Sequence, residues 1–214
     1  VCNSISTAFL SVYVSKIVQD ERAADKYASK MVCFTLALAI GLSILGVIAA
    51  PLLVPVLAPG FHAEQAHLDI HLTRITMAAF TLTMIQYIFA AILSSKKLFY
   101  GAQIAGVVYN LTIILLIVGL GKGQTMNTLT LVVVIGHFLQ ACMLILLSVR
   151  KFHFIFPSTL FDVEARQLLY LAFPILLGNS IIQINNIVDK ILASLLGGGV
   201  VSALSYSNTL NRFV

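Results

Sequence analysis

The 214 residues are 59% hydrophobic and only 10% charged, whereas soluble domains sit nearer half apolar and a quarter charged. This composition excludes an ordinary soluble domain and points to an integral membrane protein. The formal net charge of +5 is scattered through short segments between apolar runs, with no basic run interleaved with aromatics, so nucleic-acid binding is excluded too.

A membrane helix needs about 20 mostly apolar residues. In chain order this predicts spans over 1–16 (incomplete), 31–57, 73–94, 101–120, 127–149 and 168–196, with another incomplete one from residue 200 onward. Polar loops at 17–30, 58–72, 95–100, 121–126 and 150–167 separate them. Pro51, Pro55 and Pro59 crowd the end of the second span, where proline bends or ends a helix. Gly197-Gly198-Gly199 predicts a break after the 168–196 span. Residue 1 already lies inside an apolar segment, and Asn211-Arg212-Phe213-Val214 stops mid-pattern, as expected of a fragment of a longer protein. Cys2, Cys33 and Cys142 lie far apart in apolar surroundings and are expected as small buried hydrophobes.

Basic residues set the orientation. Segments 16–30, 95–100 and 150–167 hold Lys16, Arg22, Lys26, Lys30, Lys96, Lys97, Arg150, Lys151 and Arg166, against Lys122 and a helix-edge Arg74 on the alternate side. The positive-inside rule therefore predicts that the first set is cytoplasmic. Segment 150–167 is amphipathic, with Phe152, Phe154, Phe156 and Phe161, and is expected to lie at the cytoplasmic interface as a linker or to dock a partner.

Polar residues inside the 168–196 span carry the functional argument. Asn179, Gln183, Asn186 and Lys190 follow one another at four, three and four residues, one helical face. Such groups are costly in hydrocarbon and normally face a bundle interior or a wet cavity. The amides either line a transport path or hydrogen-bond between helices. Asp189 and Lys190 are either a coupling or substrate pair, or an interfacial pair with a snorkelling lysine. Arg212 offers a planar donor suited to a pyrophosphate. His67 and His71 stand one turn apart near His62, Glu64 and Asp69, but spacing fixes no third metal ligand. His137 and Gln140 form an expected packed polar pair, and Thr73, Thr76, Thr81 and Thr83 are expected to bond local carbonyls. No nucleophile–base pair, phosphate loop or paired carboxylate supports catalysis, and no cofactor is implied.

Several motifs resemble the bacterial lipid II flippase family. They are Ala58-Pro59-Gly60-Phe61, Leu72-Thr73-Arg74-Ile75, Ile92 through Phe99, Asn110, Gly136-His137-Phe138-Leu139-Gln140, and above all Pro174 through Gly178, Gln183-Ile184-Asn185, Val188-Asp189, Ile191 through Ser194 and Val201 through Leu204 with Tyr206. The resemblance implies an all-α polytopic transmembrane bundle, covered here from helix 2 to the start of helix 8 of the family fold. Residues 1–150 would be part of the N-terminal lobe (helices 2–6), 151–167 a cytoplasmic inter-lobe linker, and 168–214 the start of the C-terminal lobe (helices 7–8). It implies a multi-pass protein of the bacterial inner membrane that moves an undecaprenyl-pyrophosphate-linked peptidoglycan precursor, in contact with membrane lipids and cell-wall synthesis proteins. The family's cavity arginine falls on Thr209, beside Asn208, and Arg212 lies one turn further on. Expected substrate-path residues are Asn179, Gln183, Asn186, Asp189, Lys190, Asn208, Arg212 and Arg74. Rival readings are a flippase for another polyprenyl-linked oligosaccharide, a cation-coupled drug exporter, and a non-transporting membrane scaffold.

Overall fold

A computed structural model of the chain describes all residues except 58, 60–62, 122, 150, 158, 197 and 212–214. The described residues form seven helices: α1 Cys2–Gln19, α2 Glu21–Leu57, α3 Ala63–Ser95, α4 Phe99–Leu120, α5 Met126–Val149, α6 Val163–Leu195 and α7 Gly198–Asn211. Five of them, α2 to α6, are long and apolar enough to cross a membrane. The fold is an all-α helical bundle, as the apolar runs predict.

Helices extend well past the apolar runs. The expected loop 17–30 is helical except at Asp20, and helix also occupies 63–72 and 163–167. The physical reason is local. Glu21-Arg22-Ala23-Ala24 and Ala63-Glu64-Gln65-Ala66 are strong helix formers. Asp162 caps α6, its side chain accepting from the Glu164 N–H at 2.8 Å. Hydropathy marks where lipid begins; it does not mark where a helix begins. At 37 residues, α2 runs about 55 Å, roughly 25 Å longer than a bilayer's hydrocarbon core. Its charged first turns therefore stand clear of the apolar region. Pro51 and Pro55 lie inside α2, which ends at Leu57 before Pro59. Helix α7 starts at Gly198, so Gly198 and Gly199 do not prolong the break; Gly197 lies outside the described residues.

The core sits toward the charged end. Phe9, Tyr13 and Tyr27 stack there, with ring centroids 5.2 Å (Phe9–Tyr13) and 5.9 Å (Phe9–Tyr27) apart. Met31, Met84, Ile88, Ile92 and Leu168 close around them, and Phe152 of the linker is buried in the same cluster. Helix α6 buries Ala165, Leu168 and Ala172 near its start, while most of its residues from 177 to 188 are exposed. The start of α6 thus buries an apolar face against the core, and the exposed stretch beyond it carries the polar face.

Hydrogen bonding follows the expectation for Thr76 and Thr83, which bond carbonyls one turn back. Thr81 differs: its hydroxyl pairs with Ser43 of α2 at 2.9 Å. The three cysteines are free.

Candidate functional site

Two polar assemblies stand out, one at each end of α6. Near its far end, α6 and α7 enclose a groove of about 500 Å³ lined by Ile182, Gln183, Asn186, Lys190, Ser205, Asn208 and Thr209. The helical period brings this about. Residues 183, 186 and 190 share one face of α6, and 205, 208 and 209 share one of α7. The Ser205 hydroxyl donates to the Val201 carbonyl at 2.9 Å, and the Thr209 hydroxyl to the Ser205 carbonyl at 2.9 Å. With their protons committed to backbone, both hydroxyls keep only acceptor lone pairs for a ligand. The donors toward the groove are therefore the amides and the Lys190 ammonium. One cation amid amides and hydroxyls suits a ligand with an anionic group and many polar substituents.

The structure brings Gln183, Asn186, Lys190 and Asn208 together in this groove. It places Asn179 elsewhere: its amide donates to the Ser4 hydroxyl of α1 at 3.2 Å. Asp189 is half-buried and is not among the groove's lining, and no ion pair joins it to Lys190 among the described residues. Arg74 is exposed on α3, away from the groove. Arg212 lies outside the described residues. Ile182 also lines the groove. Ser205 is a residue that sequence reasoning missed. Its position three and four residues before Asn208 and Thr209, on their helical face, was the available signal.

The second assembly gathers charges from segments far apart in sequence. Lys30 pairs with Asp162 and, at 3.0 Å, with Glu164; Lys16 also reaches Glu164 at 3.0 Å. Lys96 pairs with Glu21 and lies 3.7 Å from Asp25. Asp25 is buried. It accepts from the Tyr13 hydroxyl at 3.1 Å and from the His153 N–H at 3.2 Å. The Ile155 N–H donates to the Ser29 hydroxyl at 2.9 Å. The Lys30 ammonium holds the Asp162 carboxyl below the usual carboxylate range, with help from the Glu164 N–H. Segments 16–30, 95–100 and 150–167 thus meet at one end of the bundle, as the alternation of basic loops requires. The partners were not readable from sequence, because nothing local links Lys16 to Glu164.

Inside the bundle, His137 pairs with Gln86 of α3 as well as lining a groove with Gln140. A lone amide in the apolar 73–94 run was the signal for Gln86.

Comparison with known proteins matches residues 2–214 to the family model described as lipid II flippase MurJ. A probable lipid II flippase MurJ of Rickettsia prowazekii (strain Madrid E) is 24% identical over 219 residues, covering 98% of this chain and 42% of that relative. A solved lipid II flippase MurJ, in an inward closed conformation, superposes with a TM-score of 0.80 at 25% identity, covering 98% of this chain and 44% of that one. The chain therefore spans less than half the length of the proteins it matches. The helix order, the polar face of α6 and a family match along nearly every residue agree: the chain belongs to the lipid II flippase MurJ family.

Proposed function

We propose that this chain forms part of a flippase of the bacterial cytoplasmic membrane, which carries an undecaprenyl-pyrophosphate-linked peptidoglycan precursor from the inner to the outer leaflet. The observation that carries this reading is the α6–α7 groove, where Gln183, Asn186, Lys190 and Asn208 converge. A pyrophosphate glycan cannot cross hydrocarbon bare, because each unpartnered polar group costs several kcal/mol there. A groove of amides, hydroxyls and one ammonium replaces part of its water. Alternating access then exposes such a groove to each side in turn. The chain acts as a transporter component and not as an enzyme. In this reading residues 1–150 belong to one lobe, 168–214 open the second, and the linker between them is cytoplasmic. Cell-wall synthesis proteins are its expected neighbours.

Roles follow from chemistry. Lys190 meets the phosphates as a point charge, while Gln183, Asn186 and Asn208 meet glycan hydroxyls and amides. Arg212, one turn beyond Thr209 in sequence, supplies a second cation. The test is delivery of the lipid-linked precursor to the outer leaflet by the full-length protein. Lys190→Gln should lower it roughly ten- to hundredfold, the size of a lost charged hydrogen bond. Arg212→Ala should fail to support growth as the sole flippase, and Thr209→Arg with Arg212→Ala should restore it. Normal delivery by both Lys190→Gln and Arg212→Ala, at wild-type membrane levels, overturns the reading.

A further inference from the structure

A second groove, of about 270 Å³, lies between α3, α4 and α5, and its lining includes Thr83, Gln86, Tyr87, His137 and Gln140. We propose that His137 is a reversible proton-binding site inside the membrane bundle, with Gln86 as its positioning residue.

The geometry serves both protonation states. Gln86 Nε2 donates to the His137 carbonyl at 2.7 Å, which fixes the carboxamide. The same amide then sets Nε2 at 3.2 Å and Oε1 at 3.3 Å from His137 Nδ1. A bare Nδ1 accepts the second amide hydrogen; a protonated Nδ1 donates to Oε1. One side chain, held by the backbone, answers both states with almost no movement. On the other side, the Tyr109 ring lies 4.7 Å from the imidazole, centroid to centroid. That is within cation–π reach of an imidazolium, about 6 Å. The titratable neighbours are Tyr87 of α3 and Tyr109 of α4, and no Asp, Glu, Lys or Arg lines the groove among the described residues. No ionised side chain among the groove's described lining fixes the ring in one protonation state. The groove exceeds the ~30 Å³ share of one water many times over, and the Thr83, Gln86 and Gln140 side chains offer water polar partners there. The proton passes from that water to a ring nitrogen and returns to it, and no other bond is made or broken. Uptake places a charge within the spanning helices, where the membrane potential acts on it.

The experiment is a ring-nitrogen NMR titration of the full-length protein in lipid nanodiscs. Every imidazole of this chain but one is removed, with His62, His67, His71 and His153 changed to glutamine. His137 should bind and release a proton reversibly while the protein stays folded. Gln86→Glu should tighten proton binding at least roughly tenfold, by adding an opposite charge at the ring. Gln86→Leu should weaken it about threefold or more, by removing the oxygen that accepts from the imidazolium. If the multiple variant does not fold, the difference between wild type and His137→Gln gives the same curve. Absence of such a titration, or a midpoint unmoved by both Gln86 variants, overturns the proposal. The measurement needs no transported lipid, so its failure leaves the α6–α7 reading untouched.

Discussion

Replacing Asp25 should loosen the linker and destabilise the whole charged end of the bundle. The side chain is 6% exposed, with the 12% exposed Lys96 ammonium 3.7 Å away. Two unit charges at that distance attract by about 4–5 kcal/mol at an effective dielectric near 20. Desolvation offsets most of that gain, but removing one member strands the other, at a cost of about 3–5 kcal/mol. Lys96 retains Glu21, which moves the expectation to the low end. The Tyr13 hydroxyl and the His153 N–H lose their acceptor, at about 1 kcal/mol or more each where water does not replace it. Asp25→Leu should therefore cost about 3–4 kcal/mol in reversible unfolding from mixed micelles. Asp25→Asn keeps an acceptor for the N–H and should cost roughly half as much. Trypsin cleavage after Lys151 should rise in step, because the His153 N–H is one of the linker's two pins to α2. An Asp25→Leu protein within about 0.5 kcal/mol of wild type, the ordinary scatter of surface changes, with unchanged cleavage, refutes this reasoning.

The start of α6 should respond to acid. The Asp162 carboxyl is depressed by Lys30, so its contribution is complete above the unfolded carboxylate value near 3.9 and is lost as pH falls through the lower folded value. Amide exchange at 162–166 should stay slow at pH 5 and quicken well below about pH 4, and Lys30→Gln should move that onset upward. Gly136→Val should destabilise the α4–α5 contact by about 1–3 kcal/mol, since a Cβ at Gly136 would meet the Tyr109 ring at 3.1 Å; a stability equal to wild type would show that the ring gives way freely. A single cysteine at position 97 should resist an impermeant reagent applied outside the cell, and strong labelling there would reverse the orientation read from the basic loops.

Much of the architecture was legible because lipid imposes it. Apolar runs of bilayer length locate α2 to α6, and the Lys and Arg bias gathers three segments at one end before any contact is known. Helix ends were less legible, because Glu21 through Lys30 favour helix while reading as polar loop. The α6 site was legible as a face but not as a set of contacts. Asn179 shares the period of Gln183 and Asn186, yet it meets Ser4 of α1, while the others meet α7. A long helix changes neighbours along its length, and the 3.6-residue period carries no record of that. The Gln86–His137 pair was hidden for a related reason: the two residues lie 51 apart in different spans, and only packing of α3 against α5 joins them.

The pinned linker also sets a leash. Its backbone is fastened to α2 at His153 and Ile155, and is caught again where Phe161 meets the Phe34 ring at 5.9 Å. Between Ile155 and Val163, the first residue of α6, the chain can stretch at most about 28 Å. If the Lys30 pairs to Asp162 and Glu164 open, the start of α6 can swing only within that radius of Ile155. A larger excursion must first pull the His153 and Ile155 amides off Asp25 and Ser29. Small displacements of α6 are then resisted by ion pairs that salt screens, and large ones by a buried carboxylate that salt reaches poorly. The travel of this helix has an electrostatic catch at its start and a mechanical stop at its end.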